Sequence, residues 1–211
     1  MSIHRLALPS LYVPIALHSL NEPELTLSQA FRTWYILAES FSVVGLAICV
    51  FLLITWAVLP PEKTRRHYLS TCLVIGISMI AIAFVIPLGA RPPQCHNEIT
   101  PNDMFTNLTC AFSGAFLVAG AVAVAIWIFI RALSMHLQIC WDLIPGERFF
   151  YASLGLGWGV TAVLFTLTMV FTGVSFRFGD ACHVNSVNSL KDFWGPLLGI
   201  ASLAGLLQLL T

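Results

Sequence analysis

The chain has 211 residues, of which 58% are hydrophobic and only 9% charged, and its formal net charge at pH 7 is zero with histidine neutral. Soluble domains carry about 25% charged residues, so the composition excludes an ordinary globular protein and makes lipid the expected solvent. A zero balance also removes the basic field that nucleic-acid binding needs and the acidic excess of a solvating tail.

Residues 1–34 open with Arg5 and an apolar stretch from Leu6 to Leu17 that Pro9 and Pro14 interrupt. The stretch resembles a weak signal segment, but no small-residue cleavage site follows it. An extracellular N-terminal tail is therefore expected over 1–34. A helix crossing the hydrocarbon layer needs about 20 apolar residues, each rising about 1.5 Å. Runs that meet or approach this length are expected to form helices at about 35–60, 68–88, 108–133, 149–176 and 193–211. These runs are continuously apolar, whereas membrane strands alternate, so helices are expected rather than a barrel. Interior Pro87, Pro196, Gly155, Gly157 and Gly159 do not refute this, because neighbouring helices re-satisfy the backbone groups that such residues free. The expected fold class is all-α, a polytopic helical membrane protein with residues 35–211 as its transmembrane domain. The last run is still apolar at Thr211, so a truncated form of a longer protein is expected.

Orientation follows the Lys and Arg bias of short loops. The densest basic cluster, Lys63, Arg65 and Arg66, lies between the first two segments and is expected in the cytoplasm. That leaves the N-terminus outside and brings Arg131, at the end of the third segment, to the inner side. Cys95, Cys110 and Cys182 then fall on the oxidising side, while Cys49 and Cys72 lie within helices and Cys140 faces the reducing side. Connectivity does not follow from sequence alone. The pairing expected is Cys110 with Cys182, which would tie the outer tip of the third helix to the loop between the fourth and fifth. Asn107-Leu108-Thr109 is a glycosylation sequon on the same side, close to the membrane edge.

Pumps and transporters carry ionisable groups inside the membrane. These segments hold almost none, and Glu39, about one turn into the first, is expected to reach outer water. Enzyme signatures such as HExxH and GxSxG are missing. His67, His136 and His183 lie in separate loops and are read as interfacial polar residues, so no metal or other cofactor is expected. Short inner loops, basic inner helix ends and a stapled outer surface suit signal transduction, in which helices shift to change the affinity of an inner surface for a partner.

Four stretches then resemble a known family. Pro60-Pro61-Glu62-Lys63-Thr64-Arg65-Arg66-His67 precedes a second helix that contains Cys72. Thr109-Cys110-Ala111-Phe112-Ser113-Gly114 opens the third, Asp180-Ala181-Cys182-His183 carries the later cysteine, and Lys191-Asp192-Phe193-Trp194-Gly195-Pro196 begins the fifth. In this order they are similar to the Frizzled and Smoothened branch of seven-helix receptors, and most of all to fungal receptors classed near it and near the secretin-like and cyclic-AMP receptors. The resemblance runs from about Tyr35 to the last residue. It implies helices one to five of a seven-helix bundle, a plasma-membrane location, a heterotrimeric G protein as inner partner and an extracellular ligand. The cysteine-rich outer domain of animal Frizzled proteins has no match, so no ligand class carries over. Arg131 would be a polar lever for coupling, against a plain positive-inside anchor. Lys63, Arg65 and Arg66 would meet the G protein or anionic lipid, each contributing about 1 kcal/mol near a charged leaflet. The alternative is a non-signalling membrane scaffold or receptor fragment.

Overall fold

The structure is a computed structural model that describes residues 22–59, 67–90, 103–143, 146–178, 181–185 and 189–211. In chain order these form α1 (Glu22–Val58), α2 (Tyr68–Ala90), α3 (Leu108–Cys140), α4 (Glu147–Phe171), β1 (Val174–Phe178), β2 (Ala181–Val184), a π-helical turn (Leu190–Trp194) and α5 (Gly195–Leu209). Five spans are long and apolar enough to cross a membrane: Leu37–Val58, Tyr68–Leu88, Leu108–Cys140, Glu147–Phe171 and Leu190–Leu209.

Three helix boundaries differ from the sequence-based expectation. The first helix begins at Glu22 rather than near 35, although its apolar span begins at Leu37. Glu, Leu, Gln and Ala in that leading stretch are good helix formers, and a helix does not have to stop where lipid does. The third helix continues from 133 to Cys140. The fourth ends at Phe171, not 176, because Gly173 adopts φ +68 and stops the helix. The N–H groups of Thr172 and Gly173 both donate to Thr168 O, at 2.9 and 3.0 Å. Val174 to Phe178 then turn into an antiparallel hairpin in which Val174 pairs with Val184, Ser175 with His183 and Phe176 with Cys182. An apolar run of this length reads as more helix, since periodicity cannot separate a short buried strand from a helical segment.

The central element is α3, the most deeply buried of the five membrane-spanning helices. It packs against α2, α4, α5 and both strands, while α1 lies on α2. Lipid tails are as apolar as leucine, so close backbone approach and dispersion must hold such helices together. Small residues provide that approach. A Cβ placed on Gly120 would meet Ile80 Cγ1 at 2.7 Å and the Gly76 carbonyl oxygen at 2.9 Å, so α2 and α3 cross almost backbone to backbone. On the other face Gly157 of α4 leaves room for the Trp127 ring, 2.9 Å from where a Cβ would stand. Trp127 is fully buried, 5.8 Å from Trp158 between ring centroids, and joins Cys72, Val118, Val122, Ile126 and Ile130 in the core.

Candidate functional site at the two ends of the central helix

One end of α3 is fastened to the hairpin. Cys110 and Cys182 form a disulfide with Cα atoms 5.2 Å apart across a sequence separation of 72, and both are fully buried. Gly114, one turn further along α3, seats Val174 of β1, whose Cγ2 would lie 2.5 Å from a Cβ there. Asn107 caps α3, its Oδ1 accepting from the N–H groups of Thr109 at 2.9 Å and Cys110 at 3.4 Å. The sequon asparagine is thus also the N-cap.

Just before it, Asp103 organises a turn. Its carboxylate accepts from the N–H groups of Phe105 and Thr106 and from the Thr106 hydroxyl, at 3.0, 2.9 and 3.0 Å. Burial pushes this carboxyl up, but the hydrogen bonds from Thr106 and Phe105 outweigh it and hold it below the usual carboxylate range. The same turn is pinned to the hairpin, with Met104 N–H donating to Val174 O at 3.1 Å and Asp103 bridging Ser175. On the far side, His183 of β2 stacks on Trp194 with centroids 5.8 Å apart, and the Thr172 hydroxyl donates to Asp192 Oδ2 at 2.9 Å. Asp192 and Trp194 belong to the π-helical turn, a local irregularity that re-aims side chains.

The opposite end is held by single polar links. Arg131 is exposed, and its Nη1 donates to Ser70 Oγ in the first turn of α2 at 3.3 Å. The hydroxyls of Tyr68 in α2 and Ser153 in α4 lie 2.9 Å apart, and the Tyr68 ring meets Phe150 edge-on at 4.6 Å. Further along α3, His136 Nδ1 lies 3.0 Å from the hydroxyl oxygen of Thr211.

Of the residues singled out in the sequence, Cys110 and Cys182 are joined, Asn107 adjoins them, and Arg131 sits at the far end. Lys63, Arg65, Arg66 and Cys95 lie outside the described residues. Glu39 is a correction: it is only 6% exposed instead of reaching water, on a helix that packs against α2. The contacts of Ser70, Tyr68, Ser153 and Asp192 escaped the sequence reading. Their partners sit on other helices, so no spacing along the chain marks them. Among the described residues no group of three or more His, Cys, Asp or Glu could hold a metal.

The fold and these two ends define a polytopic helical membrane protein whose central helix is clamped to a strand hairpin at one end and hydrogen-bonded to a neighbour at the other. Residues 28–203 match the family model for the 7 transmembrane receptor (Secretin family), and the chain belongs to that family. Of the receptor branches the sequence resembles, the secretin one is the branch whose model matches. The chain is 48% identical over 177 residues to the G protein-coupled receptor gprM of Aspergillus fumigatus, covering 82% of this chain and 36% of that protein. It is 24% identical over 185 residues to the vasoactive intestinal polypeptide receptor 1 of Mus musculus, covering 85% of this chain and 38% of that receptor. The chain thus spans little more than a third of the length of these curated relatives.

Proposed function

We propose that this chain is the helical core of a plasma-membrane receptor that carries an extracellular cue to a cytoplasmic heterotrimeric G protein, with its N-terminus outside. The observation that supports this reading is the asymmetric hold on α3. A covalent bond fixes one end of that helix to the hairpin, while the other carries non-covalent polar contacts, Arg131 to Ser70 at 3.3 Å and His136 to Thr211 at 3.0 Å among them. A ligand that displaces the hairpin then moves α3 as a rod, and the weaker contacts are the ones that change. Arg131, with Lys63, Arg65 and Arg66, forms the inner coupling surface. Asn107 is glycosylated on the outer side; its Oδ1 serves the helix cap, and its amide nitrogen is the atom that would carry the glycan.

The test uses the full-length protein with a heterotrimeric G protein and reads guanine-nucleotide exchange. Arg131→Ala is expected to change exchange while surface amount stays at the parent level. Loss of insertion together with exchange would reduce Arg131 to a topological anchor. Sidedness is read separately as the labelling by a membrane-impermeant thiol reagent that Cys140→Ser removes. Exposed Cys140 should react only after permeabilisation; reaction in intact cells would invert the proposed orientation.

A further inference from the structure

The π-helical turn leads into α5, and two residues beside it favour its wide form. Gly195 donates its N–H to the carbonyl of Leu190, five residues back instead of four. A Cβ at Gly195 would stand 2.7 Å from that same oxygen, so this closure crowds any side chain there. Pro196 follows, and it has no N–H for the carbonyl four residues back, that of Asp192. The missing donor comes from α4. The fully buried Thr168 hydroxyl lies 3.0 Å from Asp192 O and 2.9 Å from Leu164 O on its own helix, so its one proton serves either carbonyl. One turn on, the Thr172 hydroxyl donates to Asp192 Oδ2 at 2.9 Å. Thr172 and Gly173 lead directly into β1, and His183 of β2 stacks on Trp194 of the turn. The hairpin therefore touches the turn by two routes.

We propose that the π-helical turn is a two-position switch at the head of α5, held wide by Thr168 and Thr172 on Asp192 and able to close to an α-helical turn. Closing shifts the residues ahead of Gly195 around the helix axis, by up to about 100°, the angle of one residue. Asp192 then swings off Thr172, and the Trp194 ring shifts across His183. The Thr168 proton passes to Leu164 O, so no buried donor is left without an acceptor. A displacement of the hairpin reaches Asp192 through Thr172 and Trp194 through His183, and the turn converts it into rotation of one helix segment against the next. The test needs neither a ligand nor a G protein, so the switch stands or falls apart from the receptor reading.

The full-length protein is labelled with 5-fluorotryptophan, placed in lipid nanodiscs and read by ¹⁹F NMR, the Trp194 resonance being assigned by its loss in Trp194→Phe. Gly195→Ala crowds the Leu190 oxygen, and Pro196→Ala restores an N–H for Asp192. Both should move the Trp194 resonance to the same new position. Thr172→Val, which removes one of the two holds, should place it at the parent and the new position together or, in fast exchange, between them. A resonance that neither alanine variant moves, that the two send to unrelated positions, or that stays at the parent position in Thr172→Val overturns the proposal, and the turn is then a fixed irregularity. The core resonances of Trp127 and Trp158, assigned in the same way, guard against misfolding and should hold their positions. If Gly195→Ala disturbs them, Pro196→Ala and Thr172→Val decide the outcome by the same criteria.

Discussion

The two ends of α3 are built from different interactions. At the hairpin end a disulfide, a capped helix start, a hydrogen-bonded turn and strand pairing all fasten one helix to one small sheet. At the other end the links between neighbouring helices include the hydrogen bond from Arg131 to Ser70, the hydroxyl pair Tyr68 and Ser153 with its aromatic edge, and the polar cluster around His136. A hydrogen bond contributes about 0.5–1.5 kcal/mol net, whereas a disulfide contributes about 2–4 kcal/mol. Those contributions concern unfolding; for motion within the fold, a hydrogen bond can break and re-form with another partner, whereas the covalent link stays closed. The lesson is mechanical: rigidity is concentrated where the chain is cross-linked, and freedom to rearrange is left where helices meet through a few polar atoms.

The largest way to break that comparison is to cut the cross-link. Cys110→Ser or Cys182→Ser should lower stability by about 2–5 kcal/mol, read as reduced surface expression of the full-length protein. Parent-level expression of both variants would mean that strand pairing and the turn hold the hairpin without the disulfide.

Between the ends lies the α2–α3 crossing. Gly120→Ala places a methyl group 2.7 Å from Ile80 Cγ1 and 2.9 Å from the Gly76 carbonyl oxygen, and two of its three nearest atoms are backbone. Overpacking of this kind costs about 1–3 kcal/mol, and a thermal-melting assay in detergent should show the loss. An unchanged melting temperature would mean that the helices part freely, and α3 would then be a poor rod.

At the hydrogen-bonded end Tyr68→Phe keeps the ring on Phe150 and removes only the hydroxyl. It should cost about 0.5–1.5 kcal/mol, less than the effect of cutting the disulfide. Ser153 retains the Phe150 carbonyl as its acceptor at 2.9 Å, so a cost as large as that of Cys110→Ser would erase the distinction between the two ends.

The smallest effect belongs to Asp103. Its carboxyl is held below the usual carboxylate range, which is about 3.9 for aspartate. The stabilisation it gives is fully present above that ordinary value and is lost as pH falls through the lower folded value. Hydrogen exchange at the Thr106 and Phe105 amides should accelerate in that acid window beyond the intrinsic rate change. Asp103→Asn should flatten this extra dependence, and an unaltered profile would show that the carboxylate does not hold the turn.

Much of this molecule was legible along the chain, and for a physical reason. Lipid demands continuous apolar runs of a minimum length, so the five spanning segments declare themselves without knowledge of their neighbours. Cysteine positions relative to those runs directed attention to Cys110 and Cys182, and Asn107 was legible as a sequon. Two further features were not. Asn107 became a helix cap only once the chain turned at Asp103, and Val174 to Phe178 became a strand only because Gly173 stopped α4 and Val174 found a seat over Gly114.

By itself the sequence determined the solvent, the number of apolar segments and the class of receptor it resembles, because composition and run length act locally. Tertiary structure alone decided that Glu39 is buried, that Arg131 meets Ser70, and that His136 and Cys140 face the end of α5. The physical reason is that inside lipid all helix faces are apolar alike, so which face turns inward is set by close packing of small residues and by pairs of polar atoms far apart in sequence.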